Sequence, residues 1–180
     1  MQIERTFIKG LYVLKPKVFK DDRGYFLESY NKNKIKDFIN IDFVQDNESL
    51  SQKNVLRGLH FQSPPYAQDK LVRVIRGSVL DVVVDLRKSE PTYGKHFAIK
   101  LSAKNKKQLF VPKGFAHGFL TLKNNTIFSY KCSAYYNASS EVSINCFDND
   151  LAIDWNVKNG ILSNKDKNGI KFNTFESPFL

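Results

Sequence analysis

The chain has 180 residues, 42% of them hydrophobic, enough for the core of one ordinary domain. Its 28 basic and 18 acidic side chains leave a net charge of +10 with histidine neutral, which points to an anionic partner: nucleic acid, a membrane surface or a phosphorylated small molecule. No apolar run approaches the ~20 residues of a transmembrane helix, and the opening MQIERTFIKG lacks the apolar stretch of a secretory signal. Two cysteines, Cys132 and Cys146, are too few for a disulfide framework or a cysteine-rich zinc site, so a reducing, cytoplasmic setting is expected.

In chain order, the first helical signal is Lys34 to Ile39, with Ile35, Phe38 and Ile39 on one face. The stretch KLVRVIRGSVLDVVVDLR (70–87) reads as two strands broken at Arg76-Gly77, where glycine supplies turn geometry. In its second half Leu80, Val82, Val84 and Leu86 alternate with Asp81, Val83 and Asp85. Further strand candidates are HFAIKL (96–101), QLFVP (108–112), HGFLTL (117–122) and TIFSYKCS (126–133). Asn105, Gly114 and Asn124-Asn125 mark the breaks, with a short turn near Ala103 to Lys106. After Ala152 the chain reads as loops and turns, with a closing helix that the pattern does not place. Many short strands at this spacing predict an all-β sandwich or barrel with a few short peripheral helices. No repeat or linker divides the chain, so residues 1–180 are expected to form a single domain.

The positive charge is spread. From Leu101 to Ser140 there is no acidic residue, against six lysines, yet the longest basic cluster is KNKK at 104–107. A short cluster between two apolar stretches is a solvated turn. No helix-turn-helix, zinc-finger or RNA-binding signature is present, and arginines interleaved with aromatics are missing. Nucleic acid and membrane are therefore not expected as partners.

Of the three histidines, His117 lies in Pro112-x-Gly114-x-x-His117, which resembles the second motif of the cupin superfamily of double-stranded β-barrels. Metal-binding cupins carry His-x-His and a carboxylate in the first motif, and here that motif reads His60-Phe61-Gln62. A glutamine amide is a poor ligand for zinc or iron, so no metal is expected. Arg57, Lys70, Tyr130 and Asp166 are polar groups set in or beside apolar runs, and burying such groups without partners costs stability.

The strings around these residues resemble the dTDP-4-dehydrorhamnose 3,5-epimerase family over nearly the whole chain. They are DDRGYFLES (21–29), FVQDNESLS (43–51), NVLRGLHFQ (54–62), AQDKLVRVIRGSVLDVVVDLR (67–87), EPTYG (90–94), LSAKNKKQLFVPKGFAHGF (101–119), SYKCSAYYN (129–137), AIDW (152–155) and LSNKD (162–166). The resemblance implies a cupin-type jelly-roll barrel, a double-stranded β-helix, and inversion of carbons 3 and 5 of a nucleotide-linked 4-keto sugar without cofactor or metal. In that reaction a base takes a proton alpha to the ketone and an acid returns one to the opposite face.

By that resemblance His60 is the base, poised near neutral pH, and Asp166 is the carboxylate that orients it and favours its imidazolium. Tyr130 is the acid, a phenol that stays protonated until the enolate takes its proton. Lys70 stabilises negative charge at the keto oxygen, with His117 as a hydrogen-bond donor nearby. Arg23, Arg57 and Lys165 bind the diphosphate, where guanidinium forks suit phosphate oxygens. Phe26 stacks on the base. Glu28, Gln45 and Asn47 contact base and nucleotide sugar, Glu141 matches a binding position, and Tyr136, with Tyr135 beside it, matches a second tyrosine near substrate. Asp69, where many members carry a small residue, reads as an exposed bystander or as a group that tunes Lys70. The family pattern also implies a homodimer with an exchanged N-terminal strand, so that Arg23, Phe26 and Glu28 act across the interface. Relatives apply the same proton chemistry to other substrates such as GDP-linked 4-keto heptoses, or invert one centre only. A silent, ligand-binding cupin would lack His60, Tyr130 or Asp166, and all three are present. A metal-dependent oxygenase is argued against by Gln62.

Overall fold

The computed structural model describes every residue except Lys158. The strands are β1 (Gln2–Arg5), β2 (Tyr12–Lys15), β3 (Val18–Asp21), β4 (Gly24–Leu27), β5 (Gln45–Ser51), β6 (Leu56–Gln62), β7 (Lys70–Arg76), β8 (Ser78–Asp85), β9 (His96–Ser102), β10 (Gln108–Val111), β11 (Phe115–Thr121), β12 (Thr126–Cys132) and β13 (Glu141–Ser143). They form a six-stranded sheet in the order β1-β2-β10-β7-β12-β5, a five-stranded sheet in the order β13-β6-β11-β8-β9, and a separate β3–β4 hairpin. All named strand pairs are antiparallel, and the two large sheets face each other as the expected double-stranded β-helix. Among the described residues no helix is long and apolar enough to cross a membrane.

The break at Gly77 and the strands at 96–102, 108–111, 115–121 and 126–132 match the expected pattern closely. The alternation in β8 does not separate core from solvent, because both of its faces are covered. Val79 and Val83 join Val72, Val74, Leu109, Phe119 and Phe128 in the core between the sheets. Val82 and Val84 join Leu59, Phe61, Leu120 and Trp155 on the outer face of the five-stranded sheet. The C-terminal tail covers that face. Trp155 is buried, its Nε1 donates to the Cys146 carbonyl at 2.7 Å, and Phe175 and Phe179 lie edge-on to Phe61. A third cluster, around Leu14, Leu71 and Phe110, is covered by the segment that carries Ile35 and Ile39.

Two helical expectations are corrected. Helix α1 spans Lys32–Ile35, so it starts and ends earlier than Lys34–Ile39. Ile35 and Ile39 are buried as expected, but Phe38 is exposed and meets Tyr12 edge-on instead of joining the core. The closing helix exists as α2 (Asn164–Lys167), one turn long and capped by Ser163, whose side chain accepts from the Asp166 N–H.

One irregularity positions the site. Between β6 and β11 the register runs from His117↔His60 to Phe119↔Arg57, so three steps on β6 oppose two on β11. On a regular strand, residues three apart point to opposite faces. This bulge lets Arg57 and His60 both face the space between the sheets. Gly58 makes it possible, with φ of +118° and no room for a side chain: a Cβ there would lie 2.5 Å from the Gly118 Cα and 2.7 Å from the His117 carbonyl oxygen. Gly58→Ala is therefore expected to cost on the order of 3 kcal/mol in strain and overlap. The loss should appear as a fall in melting temperature of roughly 6–12 °C by differential scanning calorimetry.

Candidate active site

Between the sheets lies a cavity of about 480 Å³ whose lining includes His60, Lys70, His117, Tyr130, Glu141 and Asp166. His60 comes from β6 of one sheet, Tyr130 and Lys70 from β12 and β7 of the other, and Asp166 from α2. The cavity therefore has a His–Asp pair on one wall and a phenol with an ammonium on the facing wall.

His60 Nε2 and Asp166 Oδ1 are hydrogen-bonded across 106 positions of sequence. The other carboxylate oxygen, Oδ2, accepts from Ser163 Oγ at 2.8 Å. Both oxygens are thus held, and the carboxylate is 4% exposed. Burial pushes the Asp166 carboxyl up, but the hydrogen bond and charge of His60, then Ser163 and Lys165, outweigh it and hold it below the usual carboxylate range. The ring nitrogen of His60 opposite Asp166 is left for the cavity.

On the facing wall, burial raises the Tyr130 phenol above its ordinary value, and the fields of Cys132 and Glu141 add to this against Arg57. The phenol is an acid that holds its proton. Burial lowers the Lys70 ammonium, while the fields of Cys132, Glu141 and Asp81 work to keep it charged.

The remaining expected residues separate into groups. Arg57 lines the same cavity and donates from Nε to Ser51 Oγ at 3.1 Å. Lys165 lines it too and pairs with Glu141 at 2.7 Å, and the other Glu141 oxygen accepts from the Tyr136 hydroxyl at 2.8 Å. Gln45, Asn47, Tyr136 and Glu141 line an adjoining cavity of about 290 Å³ that shares His60, Lys70 and Tyr130 with the first. His117 lines the main cavity, but its Nε2 lies 3.0 and 3.1 Å from the two oxygens of buried Asp81. Only the other edge of the imidazole is left for a ligand. Arg23, Phe26 and Glu28 are not brought to this site within one chain. Arg23 and Phe26 stand on the exposed β3–β4 hairpin, where Arg23 pairs with Asp21 at 2.6 Å, and Glu28 just beyond pairs with Lys34.

Asp69 is not an exposed bystander. It is 6% exposed, accepts from the Lys113 N–H at 3.1 Å and from Ser133 Oγ at 2.9 Å, and so ties two loops together. Gln62 does similar work where metal cupins carry a ligand. Its Nε2 donates to the Tyr66 and Tyr135 carbonyls at 2.7 and 3.2 Å, and its Oε1 accepts from the Asn137 N–H at 2.8 Å. Among the described residues no group of three or more His, Cys, Asp or Glu side chains is arranged to hold a metal ion. Asp81 and Ser163 were not foreseen as site residues. Asp81 had a signal, an acid in an apolar strand, and so had Ser163, which stands three before Asp166 as in a capping box.

The family model described as dTDP-4-dehydrorhamnose 3,5-epimerase matches residues 5–174. The chain belongs to the dTDP-4-dehydrorhamnose 3,5-epimerase family. It is 48% identical over 174 residues to the dTDP-4-dehydrorhamnose 3,5-epimerase of Shigella flexneri, covering 96% of each protein. Among solved structures it resembles the epimerase of Legionella pneumophila in complex with dTDP-4-keto-L-rhamnose, with a TM-score of 0.93, 45% identity, and 97% of this chain and 94% of that one covered. The dTDP-4-dehydrorhamnose 3,5-epimerase of Bacillus anthracis with TDP and PPi bound is equally similar, with a TM-score of 0.93, 45% identity and coverage of 95% and 99%.

Proposed function

We propose that this chain converts dTDP-4-dehydro-6-deoxyglucose to dTDP-4-dehydrorhamnose by inverting carbons 3 and 5. The observation that carries the residue assignment is the His60–Asp166 pair facing Tyr130 across one cavity, with Lys70 in the lining on the Tyr130 side. The free nitrogen of His60 takes a proton alpha to the ketone, and the electron pair moves to the keto oxygen as an enolate. Asp166, already ionised, stabilises the imidazolium, and the Lys70 ammonium stabilises the enolate oxygen. Tyr130 then protonates the same carbon from the opposite face. The resulting tyrosinate and imidazolium exchange their protons with solvent, and the sequence repeats at the second carbon. Each inversion is redox-neutral. The reading needs no cofactor and no metal.

In the same reading the diphosphate lies against Arg57 and Lys165, and Lys165 exchanges its bond to Glu141 for phosphate oxygens. Gln45, Asn47, Tyr136 and Glu141 take the nucleoside from the adjoining cavity. The enzyme works in the cytoplasm, where free buried thiols such as Cys132 and Cys146 persist. Incubation with dTDP- and GDP-linked 4-keto sugars in heavy water, read by NMR, tests the reading. Deuterium at carbons 3 and 5 of the dTDP sugar, with inversion at both, is the expected result. Turnover confined to a GDP sugar, or inversion at one centre, would replace it.

The protein acts as a homodimer, with the β3–β4 hairpin completing its partner's site. This accounts for Arg23, Phe26 and Glu28 lying away from His60 within one chain. Arg23→Ala and His60→Ala should each be inactive. A reassociated equal mixture should recover about a quarter of wild-type activity, because half the dimers are mixed and each has one intact site. A mixture that stays inactive would place Arg23 in its own subunit's site, and an active Arg23→Ala would place it outside catalysis.

A further inference from the structure

Strand β5 is a polar stripe on its inward face. Gln45, Asn47, Ser49 and Ser51 alternate with exposed Asp46, Glu48 and Leu50. Three of the four inward side chains are engaged within the chain. Gln45 donates to Asn47 at 3.0 Å and accepts from the Tyr136 N–H at 2.9 Å, Asn47 donates to Cys132 Sγ at 3.6 Å, and Ser51 accepts from Arg57. Ser49 differs. Its Oγ is buried and has no hydrogen-bond partner among the described residues. Yet Ser49 lines the cavity of His60 and Tyr130, opposite Phe128 in the β5–β12 register and one inward position from the Asn47–Tyr130 pair.

A hydroxyl buried without a partner costs about 1–3 kcal/mol, so alanine would pack this spot at no such penalty. Phe128 and Phe119, stacked at 4.1 Å, form an apolar patch beside it that offers nothing to bond. The diphosphate cations and Lys70 serve anionic oxygens, which leaves the neutral hydroxyls of a hexose without a matched group on the Tyr130 side. Serine χ1 moves between three staggered wells, so a rotation about χ1 can turn Oγ toward a ligand in the cavity without moving the strand. We propose that Ser49 is a specificity residue that hydrogen-bonds a hydroxyl of the hexose and fixes the face the ring presents to Tyr130. The proposal rests on the sugar-nucleotide reading above and adds a contact to it.

The test is calorimetric titration of wild type and Ser49→Ala with dTDP and with dTDP-glucose, which carries the hexose hydroxyls but no ketone. The variant should bind dTDP as wild type does and dTDP-glucose about tenfold more weakly than wild type. Its ligand-free melting temperature should be equal or higher, because an unpaired buried hydroxyl has been removed. Unchanged dTDP-glucose binding overturns the proposal, as does an equal loss for both ligands, which would put the contact on the nucleotide. A melting temperature lowered by several degrees also overturns it, since the hydroxyl would then have a partner inside the fold. Wild type that binds neither ligand fails the sugar-nucleotide reading, and this proposal with it.

Discussion

His60→Ala is expected to abolish the wash-in of solvent deuterium at both carbons of the 4-keto sugar. A positioned general base contributes about 10²–10⁴ in rate, and none of the other groups named in the lining replaces it on that wall. The alanine variant also strips the buried Asp166 carboxylate of its main partner, which destabilises the fold on its own account. His60→Gln is the sharper variant: its longer side chain carries an amide N–H to the position from which Nε2 meets Asp166, while it has no basic nitrogen. Exchange by NMR should vanish in both, with dTDP affinity retained. Exchange that survives in His60→Gln would refute the base assignment. The pair is robust to acid. A carboxyl held below its ordinary value stabilises the fold above the unfolded pKa of about 4, and that contribution is lost only as pH falls through the lower folded value. Across the neutral range Asp166 stays ionised and supports the imidazolium.

The sequence was most legible where one period dominated. β7 to β12 are short apolar runs, with a period of two plain in β8, separated by glycine or asparagine breaks, and their approximate bounds followed from that. β5 was silent to the same reading, because QDNESLS has almost no apolar residues. Its inward face lines a polar cavity, so the pattern that reveals a core strand is missing where the strand serves the site. The hairpin β3–β4 was silent for a related reason: its aromatic residues Phe19, Tyr25 and Phe26 are exposed within one chain. The bulge at Gly58 was equally hidden, since LRGLHFQ does not say that Arg57 and His60 share a face. The pairing of His60 with Asp166 came from family resemblance, because no periodicity links residues so far apart. The misreading of Asp69 has a simple cause. An acid before a strand is usually solvated, and only the fold brings Ser133 and the Lys113 N–H to it.

Tyr130→Phe should separate two events that His60 variants lose together. The base is intact, so proton removal and return on the His60 face continue, and deuterium still enters at the carbon that His60 reaches. Delivery from the opposite face is lost, so inversion there should fall by about 10²–10⁴ while exchange falls far less. The substitution is nearly isosteric. Tyr130 lies 6.0 Å from Phe128, centroid to centroid, and a phenylalanine keeps that contact, so the melting temperature should barely move. The pH profile gives a second readout. Because burial raises the Tyr130 phenol above its usual value near 10, wild-type inversion should not decline through pH 9 on its account. Loss of exchange and inversion in equal measure would mean that Tyr130 does not act as the opposite-face acid, and that His60 cannot abstract without it. Retained exchange with lost inversion is the outcome that a base on one sheet and an acid on the other require.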